Sequence, residues 1–294
     1  MGIEAKDFIL DLDLLAFSGI AFSPEQRASL QTSLIILKEQ YKFKTIHFWG
    51  KILGINDDYF IVQGRQKDEL RHRQFLYSKD CINWNMLNPP SKEAKELVDV
   101  CQGRFTGDPS NDFEVVKYEI TDEDTEDENI EEIKTTLREE DRLAASLWRI
   151  EQDALIVPYT AYILQPNGDV QRNRTFEGLT IAESTKLSNY YHFCEPVHLP
   201  KKSLVQRSTL EKSLQFLDPI DEDVPKGTFV LAIPPNQIAI LLGWSVQYER
   251  GSGLVQIRSL KWPGMAFFHI PGTNRYGSLY YGIGEENKDL AFML

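Results

Sequence analysis

Cysteine is scarce in this sequence. Cys81, Cys101 and Cys194 are all it contains, and no two are spaced Cys-x-x-Cys. An odd, widely spaced trio suits neither a disulfide framework nor a zinc cluster, so reduced thiols are expected. Long hydrophobic runs are missing too. The most apolar stretch, "TFVLAIPPNQIAILLGW", is broken by Pro234 and Pro235 and is too short to cross a bilayer. The opening "MGIEAKDFILDLDLLAFSGIAF" is interrupted by Glu4, Asp7, Asp11 and Asp13 and lacks a basic start, which argues against a secretory signal. Lys6 stands where a myristoylation motif wants Ser or Thr. Basic charge is in deficit: 32 Lys and Arg against 44 Asp and Glu, a net charge of −12. Such a chain repels phosphate backbones and anionic lipid unless a basic patch intervenes, and Lys201–Lys202 is too slight to be one. A cytoplasmic protein with neither nucleic acid nor membrane as partner is expected.

The chemical motifs are absent as well. No Gly-Lys-Ser/Thr phosphate loop occurs. Gly282-x-Gly284 runs into "EENKDLAFML", with two acids where a phosphate would sit and no room for a crossover helix. No Gly-x-Ser-x-Gly elbow is found. "HFCEPVH" carries ligand types in His192, Cys194 and His198 but not the helical spacing of a metal site. His47 alternates with Phe48 and Trp49 in a strand, as a packed histidine would. No catalytic residue, metal or cofactor is assigned.

What is present is a well-patterned core. Hydrophobic residues make up 42% of 294 residues and aromatics 11%, enough to fold one large domain or two modest ones. Phe8, Leu12 and Leu15 fall on one helical face. "SPEQ" supplies a cap at Ser23, Pro24 in the first turn and Gln26 to close a capping box. Leu30, Leu34, Leu37 and Tyr41 continue that second helix. "KTIHFWGKILGINDDYFIVQG" predicts a hairpin turning at "GINDD". "FLYS" predicts a strand, "NPPSKEAKELVDV" a loop opening a short helix, and "GRFTGDPSND" a turn-rich loop. Residues Glu119–Glu132 hold nine acids and no base, predicting a flexible, solvated loop or an acidic contact surface for a basic partner. "LREEDRLAASLWRIEQD" predicts a helix with Leu143, Leu147 and Ile150 inward. "ALIVPYTAYILQPNGDV" predicts a strand pair turning at "PNGD". A Thr180/Glu183 capping box predicts a helix running to about His192. From Gly227 onward the chain reads as almost wholly β, with turns at "YERGSG" and "PGTNRYG". The fold class expected is α+β: mainly antiparallel sheet with several packed helices, and a C-terminal third almost all β.

The closing stretch crowds aromatics among glycines and prolines. The candidate packing and interface residues are Trp262, Pro263, Gly264, Tyr276, Tyr280, Tyr281, Gly282 and Gly284. Over "RYGSLYYG", Tyr276, Ser278 and Tyr280 share one strand face, and Leu279 and Tyr281 the other. Trp262–Gly284 is expected to form an antiparallel strand pair whose aromatics divide between the core and a partner surface. Glycine supplies positive φ or close backbone approach, so no phosphate is needed to explain it.

These residues carry a resemblance. The chain closely resembles the radial spoke head protein 9 family of motile cilia and flagella. The similarity includes "SPEQRASLQTSLIILKEQYKFKTIHFWGKILGINDDYFIVQG", "GRFTGDPS", "NRTFEGLTIAESTKLSNYYHFCEP", "LQFLDPIDEDVPKG", "RSLKWPG" and "DLAFML". A related Trp-Pro-Gly block with a later Gly-x-Gly also looks like part of the larger spoke-head proteins 4 and 6. The resemblance implies a single spoke-head domain over 1–294 and a non-enzymatic structural role. It implies contacts with other spoke-head subunits, proteins 4 and 6 among them, and with the central-pair apparatus through the assembled head. It further implies relay of that contact towards dynein, in the axoneme of the cytoplasmic cytoskeleton. One stretch departs from the pattern: Thr228–Gly243 intervenes where similar sequences pass almost directly from "PKG" into an aromatic-led strand. Two other classes stay open on the residues alone, an acidic adaptor outside cilia and a small-molecule binder or enzyme on an α+β fold.

Overall fold

A computed structural model of the chain describes residues 2–16, 19–101, 103–120, 130–211, 215–223 and 243–290. The frame is a nine-stranded sheet. Its first half supplies β1 (Ile3–Glu4), β2 (Thr45–Ile52), β3 (Tyr59–Arg65), β4 (Arg73–Ser78) and β5 (Asn85–Leu87). Outside it, β6 (Asp112–Ile120) pairs with β7 (Ile130–Arg138), and the short strands β8 (Ile156–Pro158), β9 (Tyr162–Leu164), β10 (Val170–Arg172) and β11 (Tyr190–His192) form two small pairs. The last described stretch returns to the main sheet with β12 (Trp244–Glu249), β13 (Leu254–Ser259), β14 (Met265–His269) and β15 (Tyr276–Gly282). Strand order is β12-β13-β14-β15-β2-β3-β4-β5, with β1 also on β2. Every neighbouring pair is antiparallel except β15–β2, where Tyr280 lies opposite Gly50 and Tyr281 opposite Lys51 in parallel. The α+β class holds; the sheet is mixed through this one junction.

Helices cover both faces. α1 (Phe8–Leu15) and α2 (Pro24–Gln40) bury Phe8, Leu12, Leu15, Leu30, Leu34 and Leu37 against one face. The Ser23 hydroxyl accepts the Gln26 amide, and the Gln26 side chain accepts the Ser23 amide, each at 3.1 Å. Two orphan donors of the first turn are thereby satisfied. α3 (Lys92–Leu97) is capped by Ser91 and packs on α4 (Glu139–Ala154). α4 lays Leu143, Leu147 and Ile150 on the opposite face of the sheet. Two-residue periodicity divides β3 between the layers: Tyr59 and Ile61 meet the α4 side, Phe60 and Val62 the α1–α2 side. No helix among the described residues is long and apolar enough to cross a membrane.

The structure corrects two elements. The Thr180/Glu183 capping box is present, yet α5 covers only Ile181–Ser184. Ser184 Oγ donates to the Ile181 carbonyl (2.9 Å), and Asn189 Nδ2 donates to that of Glu183 (2.8 Å). Short polar side chains thus take carbonyls that another helical turn would need. Tyr190–His192 instead pairs with β8, burying the Tyr190 ring. A last short helix, α6, spans Leu204–Ser208. The acidic run is the second correction. Its flanks are strand: the β6–β7 ladder extends to Ile120 opposite Ile130 and takes in Glu119, Glu131 and Glu132. β-branched Val115, Val116, Ile130, Ile133, Thr135 and Thr136 favour a ladder that charge counting overlooks. Residues 121–129 lie outside the described residues.

The stretch Thr228–Gly243, read from the sequence as an insertion, also lies outside the described residues, apart from Gly243. Its flanks are informative. Asp223 Oδ2 accepts the Trp244 indole N–H at 3.1 Å, so the chain leaves and returns at one place. The Leu260 amide donates to the Gly243 carbonyl at 2.8 Å. Deleting Thr228–Gly243 sets Gly227 before Trp244, where another glycine carbonyl can take that bond. Shorter closure favours folding by roughly 1 kcal/mol. The deletion variant is expected to melt cooperatively at an equal or slightly higher temperature. Loss of a cooperative transition would show instead that the segment belongs to the core.

Candidate functional site

Seven of the eight conspicuous C-terminal residues gather where the turn entering β14 meets the end of β15 beside β2; Tyr276 stands at the other end of β15, opposite His269. Trp262 is buried at the turn entering β14; its indole donates to Asp153 Oδ2 at 3.0 Å, and the Arg149 guanidinium lies 5.7 Å from its ring centre. The turn then needs glycine. Gly264 has φ +99°, and a Cβ there would lie 2.2 Å from the Tyr281 carbonyl oxygen. The Tyr281 amide donates to the Gly264 carbonyl at 2.9 Å. Gly282 is packed against the Pro263 carbonyl and the Tyr280 hydroxyl. Gly284, at φ +78°, faces the Phe105 ring, and its amide donates to the Tyr280 hydroxyl at 2.9 Å. The glycines let backbones and rings touch. That amide is spent on a tyrosine, which leaves no phosphate cradle at Gly282-x-Gly284.

The tyrosines separate as the alternation predicts. Tyr276 and Tyr280 enter the α4-side core, Tyr280 beside Trp49 (5.3 Å) and Tyr276 edge-on to Phe176 (5.7 Å). Burial pushes the Tyr276 phenol up to about 12. Leu279 and Tyr281 face the α1 side, where Tyr281 packs edge-on to Phe22 at 5.8 Å. Of the eight, Trp262, Tyr276, Tyr280, Gly282 and Gly284 are buried within this chain. Pro263 and Gly264 are exposed and Tyr281 is half-buried. These last three line an apolar cleft of about 520 Å³ with Ile20, Met265 and Leu290.

The histidine–cysteine cluster does different work. His192 Nε2 lies 2.6 Å from Asp223 Oδ2. Burial raises the Cys194 thiol to about 12, so it is no ready nucleophile. Asp218 accepts the amides of Val197, His198 and Leu199 at 2.7, 2.9 and 3.1 Å, fixing the loop. Among the described residues no three His, Cys, Asp or Glu side chains are grouped to hold a metal ion.

Comparison with known proteins decides the family. A family model described as radial spokehead-like protein matches residues 2–162. Radial spoke head protein 9 homologs from Danio rerio (46% identical), Bos taurus and Homo sapiens (42% each) align over 99% of this chain and 100% of their own length. The chain belongs to the radial spoke head protein 9 family. The resemblance drawn from the sequence blocks therefore extends along nearly the whole chain.

In this member of the radial spoke head protein 9 family, the main polar anchors are buried residues that the sequence patterns did not single out. Glu139, fully buried at the start of α4, accepts from Tyr59 Oη (2.8 Å), the Thr106 amide and hydroxyl (3.0 and 2.6 Å) and the Gly107 amide (2.8 Å). It ties the "GRFTGDPS" loop to β3. A second network links Gln63, Arg65, Arg73 and Glu151. Gln63 donates to Glu151 at 2.5 Å, Arg73 pairs with Glu151 at 3.0 Å, and both arginines lie over the Phe193 ring. Arg65 at the end of the buried run "YFIVQGR" was the available signal, since a strand buried on both faces must bury its last side chain too.

His269, in the same block, is fully buried and held neutral. The Leu179 amide donates to Nε2 at 3.2 Å, so Nδ1 carries the proton and donates to the Arg275 carbonyl at 3.2 Å. Burial pushes this imidazole down to about 4 from an ordinary 6.5, with the Arg275 contact acting the other way. His47 is held well below its ordinary value, also mainly by burial. A depressed folded-state value means that the unfolded chain takes up protons first as pH falls. Stability is therefore full above pH 6.5 and declines towards pH 4, by up to about 1.4 kcal/mol per pH unit for each group. Thermal melts across this range should show the decline. His269→Gln, whose side-chain oxygen can still accept the Leu179 amide, should make it shallower.

Proposed function

We propose that the protein is a non-enzymatic structural subunit of the axonemal radial spoke head, folded as one unit over residues 1–294. The carrying observation is identity to radial spoke head protein 9 homologs along the full length of both chains. In this reading it contacts other spoke-head subunits, including the larger proteins 4 and 6. Through the assembled head it meets the central pair and helps pass that contact to dynein in the cilium or flagellum. A mechanical part needs a rigid body and a soluble charged exterior. The aromatic–glycine seam and the two buried polar networks support the first, and the net charge of −12 supports the second.

The deciding experiment is affinity purification of the tagged protein from ciliary axonemes, with the co-purifying proteins identified. Spoke-head subunits are expected. Absence from demembranated axonemes would return the chain to the class of acidic adaptors outside cilia. A narrower test addresses the cleft. Tyr281→Ala should weaken binding to the larger spoke-head subunits by about tenfold or more, as loss of an interface aromatic does, and should lower stability less. Wild-type affinity in a pull-down titration would remove Tyr281 from the interface. The acidic run, read as a contact surface, predicts a basic partner whose binding falls steeply with added salt.

A further inference from the structure

The main sheet ends in two edges, and they differ. β5 has three residues and is followed closely by Pro89 and Pro90, so it offers little to pair with. β12 is six residues long and runs in unbroken register with β13, from Trp244 opposite Ser259 to Glu249 opposite Leu254. The strand itself carries no lysine, no proline and no bulge. Among the described residues, β13 is its sole strand partner.

The direction of its backbone groups follows from one bond. The Leu260 amide donates to the Gly243 carbonyl in the same register, which makes Gly243 and Leu260 a hydrogen-bonded pair. Such pairs alternate along an antiparallel ladder. Ser245, Gln247 and Glu249 therefore turn their N–H and C=O groups towards β13. Trp244, Val246 and Tyr248 turn theirs outwards, to an edge that is unpaired among the described residues. Their side chains lie on the α4 side of the sheet, within or against its core. Ser245 and Gln247 are exposed on the other face.

We propose that β12 pairs with β12 of a second copy of this chain, antiparallel about a two-fold axis at Val246, so that each sheet continues into the other. The register argues for this occupant. With the axis at Val246, every outward N–H meets an outward C=O. Val246 lies opposite the partner's Val246, and Trp244 lies opposite the partner's Tyr248, twice over by symmetry. Aromatic and β-branched cross-strand pairs of this kind stabilise a ladder. On the exposed face Ser245 meets the partner's Gln247. Glu249, the strand's only charge, falls opposite the partner's Gly243 and meets no like charge. A surface complementary to itself is what a two-fold interface requires. The pairing stands independently of the assembly that the protein serves.

The test is sedimentation equilibrium of the full chain at micromolar concentration across a salt series. A dimer is expected, and it should tighten with salt, because screening relieves the repulsion of two chains of net charge −12. Two exposed-face variants check the register. S245D/Q247D sets like charges opposite each other and should be monomeric; S245D/Q247K sets opposite charges there and should dimerise. Val246→Pro removes an N–H that no bond among the described residues uses, so it should abolish the dimer while leaving the melt cooperative. A monomeric wild type, or a dimer indifferent to the Asp/Asp variant, would overturn the proposal. So would a dimer that forms only in the variant lacking Thr228–Gly243, since the chain's own segment would then hold the edge.

Discussion

Trp262→Ala is expected to lower the stability of the protein by about 3–5 kcal/mol. The ring is only 2% exposed and sits in the core beneath α4. Truncation leaves a cavity that the neighbouring β-turn cannot fill, because Gly264 and Gly282 have no side chains to move. It also strips Asp153 of the indole donor, although Lys261 at 2.8 Å still pairs with that carboxylate. Cavity formation should therefore dominate over the lost hydrogen bond. Trp262→Phe separates the two: it keeps most of the ring and loses the N–H, for an expected cost of about 1–2 kcal/mol. Urea denaturation of both variants gives the comparison. A loss below about 1 kcal/mol for the alanine variant would show that the turn collapses freely, contrary to close packing.

Glu139→Ala should cost a similar amount, about 3–5 kcal/mol, for a different reason. The fully buried carboxylate gathers donors from buried Tyr59 and Gly107 and from half-buried Thr106. Removing it leaves the Tyr59 and Gly107 donors buried and unpaired, each with its own desolvation cost, and frees the Thr106 donors to water. The Tyr59 phenol is already raised, first by burial and then by its bond to Glu139, so ionisation offers it no escape. The effect should be local as well as global. Amide exchange at Thr106 and Gly107 should accelerate in the variant, while the Ser23-capped start of α2 keeps its protection. Glu139→Gln should fall between wild type and alanine, since one oxygen remains to accept. Unchanged exchange at Thr106 and Gly107 would mean that the loop is held by something other than this carboxylate.

Much of the fold could be read from local pattern, for physical reasons that also explain what was missed. Ser23 with Gln26, and Thr180 with Glu183, are interactions within one turn, so residue spacing suffices to place them. Turns at "GINDD", "YERGSG" and "PGTNRYG" join strands adjacent in the chain. The tyrosine alternation in β15 follows from strand geometry. By contrast, the parallel contact of Tyr280 with Gly50 joins remote segments and leaves no local trace. Glu139 lies in "LREEDRL", where any acid reads as solvent-facing. The short α5 failed because pairing of Tyr190–His192 with β8 is tertiary and overrode a valid start signal. In the candidate block the packing roles of glycine and tyrosine were legible. That most of the aromatics would be consumed by two cores of the same chain was not.

The β15–β2 junction sets an order of events during synthesis. β2, β3, β4 and β5 leave the ribosome early and can pair as hairpins at once. The remaining side of β2 then waits for β15, far later in the chain, with β1 covering only Ile3 opposite Phe48 and Glu4 opposite His47. Until β15 arrives, the nascent protein carries an open sheet margin rich in Phe48, Trp49 and Ile52, a surface prone to aggregate and to recruit chaperones. A frameshift or stop codon upstream of Tyr276 would make that exposure permanent. Even a product that stops just before Tyr276, with every strand from β1 to β14 in its sequence, is expected to be cleared by quality control rather than to keep partial activity.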